Sequence, residues 1–334
     1  MCRIAVPGEA RDGNATHMIQ EERHLFFMRI LVTGGAGFIG SHIVDQCIAA
    51  GHEVTVVDSL WEEGGGKAQN LNAKARFFHV DITDEAALQS LFDEVRPEVV
   101  SHQAAQASVA ISTKNPQLDA RVNVLGLLNV LINCSRVGTR KIVFASSGAT
   151  YGTPARLPID EEVPQRPESP YGITKMVAEY YLHYWQEAHN LTYTALRYGN
   201  VYGPRQDPNG EAGVIAIFAR HFLNHDPVRI DWDGEQKKDY VYVGDVARAN
   251  LLAIERGDND IFCIGTGRAA SVNELYQELV KITGYQPEIV RAPKRPGDIY
   301  LAYFDCRKAE RVLGWKPEVT LEEGIEKTME FFRR

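Results

Sequence analysis

The 334-residue chain has few of the features that would suggest a membrane, nucleic-acid or disulfide-bonded protein. No apolar run approaches the ~20 residues of a membrane span. The net charge of −8 argues against a nucleic-acid or membrane surface as the main partner. The five cysteines are scattered without a Cys-x-x-Cys pair, which disfavours a zinc site and a disulfide scaffold. We therefore expect a cytoplasmic protein with no metal site.

Residues 1–27 lack the apolar core of a signal peptide. They are polar and contain Pro7, Gly8 and Gly13, unlike the sequence that follows. We interpret them as a disordered leader or an over-long start. The globular sequence is predicted to begin at Met28, directly before the first strand.

From Arg29 onwards, short apolar runs alternate with helical stretches. This alternation predicts βαβ units and a doubly wound parallel sheet, so the fold class is α/β of the Rossmann type. The predicted strands are 30–33, 54–57, 76–80, 98–102, 141–144 and 192–197, and the predicted helices are 38–50, 84–95, 116–136 and 171–189. After Tyr198 the pattern is less regular. Helices are expected at 213–224, 243–256, 271–283, 305–313 and 320–333, and Ser271 with Glu274 is predicted to form a capping box.

A glycine-rich loop joins the first strand to the first helix. Gly34, Gly37 and Gly40 give the spacing G-x-x-G-x-x-G, which allows a tight turn, a close approach to a pyrophosphate, and close packing of helix on strand. The helix N-terminus then faces the phosphates. This context predicts dinucleotide binding, with Phe38 and Ile39 also in contact.

Further cofactor contacts are predicted where the strands end. Asp58 ends the second strand, and its carboxylate suits an adenosine ribose but would repel a 2′-phosphate, which favours NAD over NADP. The remaining predicted contacts are Asp81, Ile82, Gln103, Ala104 and Ala105.

Tyr171 and Lys175 are four residues apart at the start of a predicted helix, so both side chains lie on one face. A tyrosine of pKa ~10 needs a shift of roughly three units, or about 4 kcal/mol, to act as a base at neutral pH. A lysine ~5 Å away at an effective dielectric of about 20 supplies roughly 3 kcal/mol. We therefore expect Lys175 to lower the pKa of Tyr171, and oxidised NAD to supply the rest.

Together these segments resemble the extended short-chain dehydrogenase/reductase family, and within it the sugar-nucleotide 4-epimerases of the UDP-glucose 4-epimerase type. The resemblance covers about residues 28–333. The matching stretches are TGGAGFIGSH (33–42), VVDSL (56–60), HQAAQASV (102–109), NVLGLLNVL (123–131), ASSGATYG (145–152), SPYGITK (169–175), RYGNVYGPRQ (197–206), KDYVYVGDVARA (238–249) and RPGDI (295–299).

The resemblance implies two domains. Residues 28–197 and about 240–266 would form a Rossmann domain that holds NAD. Residues from about 198–239 and 267–334 would form a smaller C-terminal α/β domain that holds a nucleotide sugar. The family often dimerises through two helices of the Rossmann domain, here 116–136 and 171–189, so a homodimer is expected.

The resemblance also implies roles for single residues. Tyr171 would be the catalytic base and Lys175 its partner, which also binds the nicotinamide ribose. Ser147 would hydrogen-bond the sugar O4. The predicted contacts to the rest of the nucleotide sugar are Asn200, Arg205, Lys238, Arg295 and Asp298. Lys238 stands where many members have an arginine, so it keeps the charge but loses the bidentate fork.

Two small residues narrow the expected reaction. Gly148 and Ala149 occupy positions where the family's 4,6-dehydratases carry acids, and its decarboxylases also place a Glu at the position of Ala149. Neither residue can move a proton, which leaves exchange at C4 of a UDP-hexose through a transient 4-keto sugar, with tightly bound NAD. The alternatives are another NAD-dependent nucleotide-sugar oxidoreductase, or a non-catalytic NAD-responsive binding protein. Ala302 falls where some members carry a bulky residue that excludes N-acetylated sugars.

Overall fold

The computed structural model describes residues 27–61, 64–209, 213–294 and 299–334. Nearly all of the predicted leader, residues 1–26, lies outside them. Within the described residues the larger sheet has seven strands: β1 (Arg29–Thr33), β2 (Glu53–Asp58), β3 (Arg76–His79), β4 (Val99–His102), β5 (Lys141–Ser147), β6 (Thr192–Tyr198) and β10 (Asp260–Ile264). All are parallel, in the order β3-β2-β1-β4-β5-β6-β10. This doubly wound order confirms the predicted fold class.

Helices cover both faces of this sheet because its strands are apolar on both sides. Leu31 and Val32 are fully buried neighbours on β1 and point to opposite faces. Leu31 packs in a core with α2 (Glu85–Val95), α5 (Gly126–Val137) and α6 (Pro170–His189). Val32 packs in the other core, with α1 (Phe38–Ala49), α8 (Val243–Ala253) and α10 (Arg307–Leu313).

The predicted helix over 116–136 is confirmed as a continuous helical segment, but a π-helical turn interrupts its α-helical hydrogen bonding. The structure has α3 (Val109–Lys114), α4 (Pro116–Ala120), a π-helical turn (Arg121–Leu125) and then α5. Asn115 caps α4 with its side chain and Pro116 occupies the first turn. The wider π turn points Asn123 inward, where its side chain bonds both the backbone N–H and the backbone carbonyl of Gln106.

A smaller lobe lies beyond the carboxyl end of β6. One sheet holds β7 (Asn200–Tyr202), β9 (Lys237–Tyr242), β11 (Ala269–Ser271) and β13 (Leu301–Ala302), and a second pairs β8 (Val228–Asp231) with β12 (Ile289–Ala292). Their core also includes α7 (Val214–Asn224), α9 (Val272–Thr283) and α11 (Leu321–Arg333). The predicted Ser271–Glu274 capping box of α9 is confirmed. Gly199 is the single residue between β6 and β7, so the chain passes directly from one sheet to the other.

The described residues contain neither a membrane-spanning helix nor a candidate metal-binding cluster. No helix there is long and apolar enough to cross a membrane. No three His, Cys, Asp or Glu side chains in the same part of the chain lie close enough together to hold a metal ion.

Candidate active site

A cavity of about 230 Å³ lies over the carboxyl ends of β1, β2, β4 and β5. In parallel α/β sheets this is the edge at which ligands bind. All thirteen residues predicted to contact the cofactor line it: Gly34, Gly37, Phe38, Ile39, Gly40, Asp58, Asp81, Ile82, Gln103, Ala104, Ala105, Tyr171 and Lys175. The structure thus brings the glycine loop and the Tyr171–Lys175 pair to one cavity, although more than 130 residues separate them in sequence.

The glycine loop leaves no room for side chains at two positions. Gly34 has φ +67°, and a Cβ there would lie 2.7 Å from the backbone N of Ala104. A Cβ on Gly40 would lie 2.1 Å from the carbonyl oxygen of Gly34. Backbone therefore packs directly on backbone along this wall of the cavity.

The start of α1 fits a pyrophosphate group. Gly37 provides no side-chain cap, and the first turn carries no acidic residue, so the positive end of the helix dipole is not neutralised. A Cβ on Gly37 would meet only the Gly34 oxygen, at 3.1 Å, so its other side is open. The residues present therefore fit the phosphates of a dinucleotide.

Asp58 ends β2 beside this loop. Its two carboxylate oxygens accept hydrogen bonds from the backbone N–H groups of Ala36, at 3.0 Å, and Leu60, at 2.8 Å. Burial raises the pKa of Asp58, and these two hydrogen bonds oppose the rise. An ionised carboxylate has about four acceptor sites, so Asp58 keeps capacity for a ribose hydroxyl.

Helix α6 positions the Tyr171–Lys175 pair. Ser169 caps the helix through Gly172 N–H, and Pro170 starts it. Lys175 is 4% exposed, and its Nζ donates to the carbonyl of Ala145 at 2.8 Å. The same Nζ lies 5.8 Å from the Tyr171 ring centroid.

Ser147 joins this pair from the end of β5. Its hydroxyl accepts a hydrogen bond from Ala149 N–H at 3.1 Å and lies close enough to Tyr171 to lower the pKa of that phenol. Serine, tyrosine and lysine therefore form one cluster at the edge of the cofactor cavity, an arrangement suited to moving a proton to and from a bound hydroxyl.

The predicted net lowering of the Tyr171 pKa is wrong for the chain by itself. Burial raises the pKa of Tyr171 to about 12, and the hydrogen bond from Ser147 only partly opposes it. Burial also lowers the pKa of Lys175 to about 8. The prediction counted the charge of the lysine and omitted the desolvation of both groups, which here is the larger effect.

Sequence reasoning missed a buried network beneath the pair. Asp119, on α4, is fully buried and accepts hydrogen bonds from Gln106, Asn123 and Thr174. Thr174 lies on α6 between Tyr171 and Lys175. Nothing in the spacing of the motifs points to Asp119, which is 55 residues from its partner on α6.

Three of the residues predicted to hold the nucleotide sugar, Asn200, Arg205 and Lys238, do not line the cofactor cavity. Asn200 is exposed, and its amide lies 3.4 Å from the Asp239 carbonyl. Lys238 donates to the Ile299 carbonyl at 2.5 Å. Arg205 pairs with Asp45 on α1 at 2.7 Å, with its other terminal nitrogen buried and unpaired among the described residues. The two other predicted contacts, Arg295 and Asp298, lie outside the described residues.

Comparison with known proteins agrees with this geometry. Residues 30–265 match the model of the NAD dependent epimerase/dehydratase family. The chain belongs to this family. A putative UDP-glucose 4-epimerase of Methanocaldococcus jannaschii is 47% identical over 306 residues, which are 91% of this chain and 98% of that protein.

Solved structures of the family are also similar over nearly their whole length. UDP-glucose 4-epimerase of Thermotoga maritima, solved with UDP-glucose, is 51% identical with a TM-score of 0.89, and the match covers 92% of this chain and 99% of that one. The UDP-glucose 4-epimerase of Thermus thermophilus, solved with NAD, is 46% identical with a TM-score of 0.87 and the same coverage. With the fit of the glycine loop and Asp58, family membership identifies NAD as the cofactor of this epimerase/dehydratase relative.

Proposed function

We propose that this protein is an NAD-dependent nucleotide-sugar 4-epimerase that inverts C4 of a UDP-hexose of the UDP-glucose/UDP-galactose type. The observation that carries the proposal is the Ser147–Tyr171–Lys175 cluster at the edge of the glycine-loop cavity. The similarity to UDP-glucose 4-epimerases supports it.

The residues after Ser147 favour epimerisation over elimination. Gly148 carries no side chain, and a Cβ there would lie 2.9 Å from Cζ of Phe304, so the buried Phe304 ring would have to shift to admit one. Ala149 has no proton to give. An acid that removes water from C5 and C6, or assists decarboxylation, therefore has no place at these two positions.

Each residue of the cluster has a distinct role in the proposed reaction. Tyr171 removes the proton of the sugar O4 and later returns it. Ser147 holds O4 through its hydroxyl, and Lys175 stabilises the phenolate with its charge. NAD held by the glycine loop and Asp58 would supply a reversible hydride acceptor for C4 and, in its oxidised form, a positively charged ring. That charge is needed, since burial leaves the pKa of Tyr171 at about 12 in the chain alone.

The smaller lobe is proposed to hold the nucleotide and the sugar. We assign the phosphates to Lys238, Asn200 and Arg205, together with Arg295 and Asp298 outside the described residues. Strand β9 places Lys238 opposite Ala302 of β13, where Ala302 is half-buried. The small side chain of Ala302 is proposed to accommodate an acetamido group.

We also propose a cytoplasmic homodimer. Large apolar side chains are exposed along the π turn, α5 and α6: Leu125 (55%), Ile132 (53%), Ile173 (46%), Tyr180 (66%) and Tyr184 (57%). Apolar residues of this size along adjacent helices mark an interaction surface. Sedimentation analysis of the protein and of an Ile132→Glu variant tests this assignment, which fails if the wild-type protein sediments as a monomer.

The decisive experiment is incubation of the purified protein with a panel of UDP-sugars and no added NAD. Interconversion of one C4 pair, followed by sugar composition, is the expected result. Net consumption of added NAD would indicate an oxidoreductase that releases NADH. Binding of NAD with no conversion of any UDP-sugar would indicate a non-catalytic NAD-responsive protein.

A further inference from the structure

Asp119 is a buried acid that the proposed reaction does not yet use. It is fully buried on α4, where an unpaired charge would be strongly unfavourable. One carboxylate oxygen accepts from Gln106 Nε2 at 2.8 Å and Asn123 Nδ2 at 3.0 Å, and the other accepts from Thr174 Oγ1 at 2.9 Å. These bonds favour the ionised form and oppose the effect of burial, which raises the pKa of Asp119.

The network links the Asp119 carboxylate to α6, the helix that carries Tyr171 and Lys175. Thr174 is the residue before Lys175 and lies within one turn of Tyr171. Its hydroxyl contacts both the Asp119 carboxylate and the Tyr171 carbonyl, at 2.9 and 3.0 Å. Asp119 is thus bonded to the turn of α6 that separates the proposed base from its lysine.

Building on the proposed function, we propose that Asp119 is a positioning residue of the epimerase. Its buried negative charge keeps the Lys175 ammonium protonated, and its bond to Thr174 fixes the turn that holds Tyr171 and Lys175. It does not touch substrate or cofactor in this assignment and acts through these two residues.

The direction of the electrostatic effect is fixed by charge. Asp119 raises the pKa of Lys175, and so opposes the burial that lowers it to about 8. It also raises the pKa of Tyr171. The negative charge of Asp119 therefore disfavours the loss of a proton from either Lys175 or Tyr171. Both steps of their coupled titration occur at higher pH than they would without Asp119.

Among the described residues, the other titratable and charged groups near Tyr171 and Lys175 do not take the place of the negative charge of Asp119. His102 on β4 is neutral, since burial lowers its pKa to about 3. Tyr198 on β6 is neutral because burial raises its pKa. Arg197, also on β6, is paired with Glu179 of α6 at 2.6 Å. Of the charged groups on α3 and the π turn, Lys114 and Arg121 are exposed to solvent.

The test is the pH profile of kcat for Asp119→Asn. In this variant the new side-chain oxygen can still accept hydrogen bonds from Gln106 and Asn123, and the new NH₂ group can donate to Thr174 Oγ1. The change therefore removes the charge and preserves the hydrogen bonds. We expect both limbs of the profile to move to lower pH by roughly one unit. Asp119→Ser is a second neutral variant, should the first not fold, and the same direction of shift is expected.

Two controls separate charge from structure. Thr174→Ala keeps the charge and breaks the link to α6, so it is expected to lower kcat and the melting temperature without moving the pH profile along the pH axis. Asp245→Asn removes another buried carboxylate, one that accepts from the backbone N–H groups of Glu318 and Val319 and is remote from the cluster. It should also lower stability without moving the profile.

The outcomes distinguish this inference from the proposed function. If the wild-type protein epimerises and the neutral variants keep the wild-type profile, Asp119 has only a structural role and the inference is wrong. A shift as large in Thr174→Ala as in Asp119→Asn would also overturn it, because geometry and not charge would then be responsible. If the wild-type protein converts no UDP-sugar, the proposed function itself is wrong.

Discussion

The two sides of the active site differ in the groups that form them, which are backbone atoms on one side and long side chains on the other. On the cofactor side, backbone packs on backbone, with Gly34 against Ala104 and Gly40 against Gly34. On the sugar side, the proposed contacts are long charged side chains, such as Lys238 and Arg205, that also bond elsewhere in the protein. The closely packed backbone of the cofactor side cannot adjust to a substitution. The long side chains of the sugar side can adopt new contacts when one of them is changed. Substitutions on the cofactor side should therefore have large effects on NAD binding and rate, and substitutions on the sugar side should have small effects on KM.

The largest effect is expected at the point where the two sides meet. Tyr171→Phe removes the proposed base and keeps the ring, so kcat should fall about 10³-fold while bound NAD is retained. Initial rates and the NAD content of the purified variant provide the measurement. Tyr285→Phe, in the smaller lobe, is the control and should keep its rate. A near wild-type rate for Tyr171→Phe would refute the assignment of the base.

The next effect tests the rigidity of the cofactor wall. Gly40→Ala places a methyl group where a Cβ lies 2.1 Å from the Gly34 oxygen, so the loop must shift. We expect loss of co-purified NAD and about a 100-fold lower rate, the order of effect of a displacement of about 1 Å at an active site. Gly51→Ala is the matched control, because Gly51 has no atom within 4 Å of its Cβ position, although its φ of +90° is strained for alanine. Full NAD occupancy in Gly40→Ala would show that this wall can adjust.

The smallest effects are expected on the sugar side. Lys238→Ala should raise KM for the UDP-sugar about tenfold with little change in kcat, since it removes one charge-assisted contact. Arg205→Ala should change KM by less than about threefold, because the Arg205 charge is already paired with Asp45. Steady-state kinetics of both variants give the comparison. The opposite order would show that Arg205 contributes more than Lys238 to binding of the phosphates.

The same contrast explains what could be predicted from the sequence. A glycine loop encodes its geometry within eight consecutive residues, and Asp58 follows from its place at a strand end. Six of the seven strands of the larger sheet follow in the same way from alternating apolar runs, and β10 comes from the less regular sequence after Tyr198. In each case the relevant contacts are local or follow from the rules of parallel sheets.

What was missed depends on contacts between distant segments. The π turn positions Asn123 against Gln106, and Asp119 meets Thr174 from another helix, neither of which has a local pattern. Phe304 packs against Gly148 although 156 residues separate them. The direction of the Tyr171 pKa shift could not be predicted from the sequence, because the burial of this side chain depends on the whole fold.

Helix α6 has a consequence for how this protein can diversify. One face carries Tyr171 and Lys175 and, one turn further on, anchors the helix through Glu179 to Arg197 of β6, and the opposite face exposes Tyr180. Few positions on the helix are free to vary, because a change on any face disturbs chemistry, folding or association. New sugar preferences would therefore arise most readily through substitutions in the loops and short strands of the smaller lobe, with the chemistry of α6 inherited unchanged.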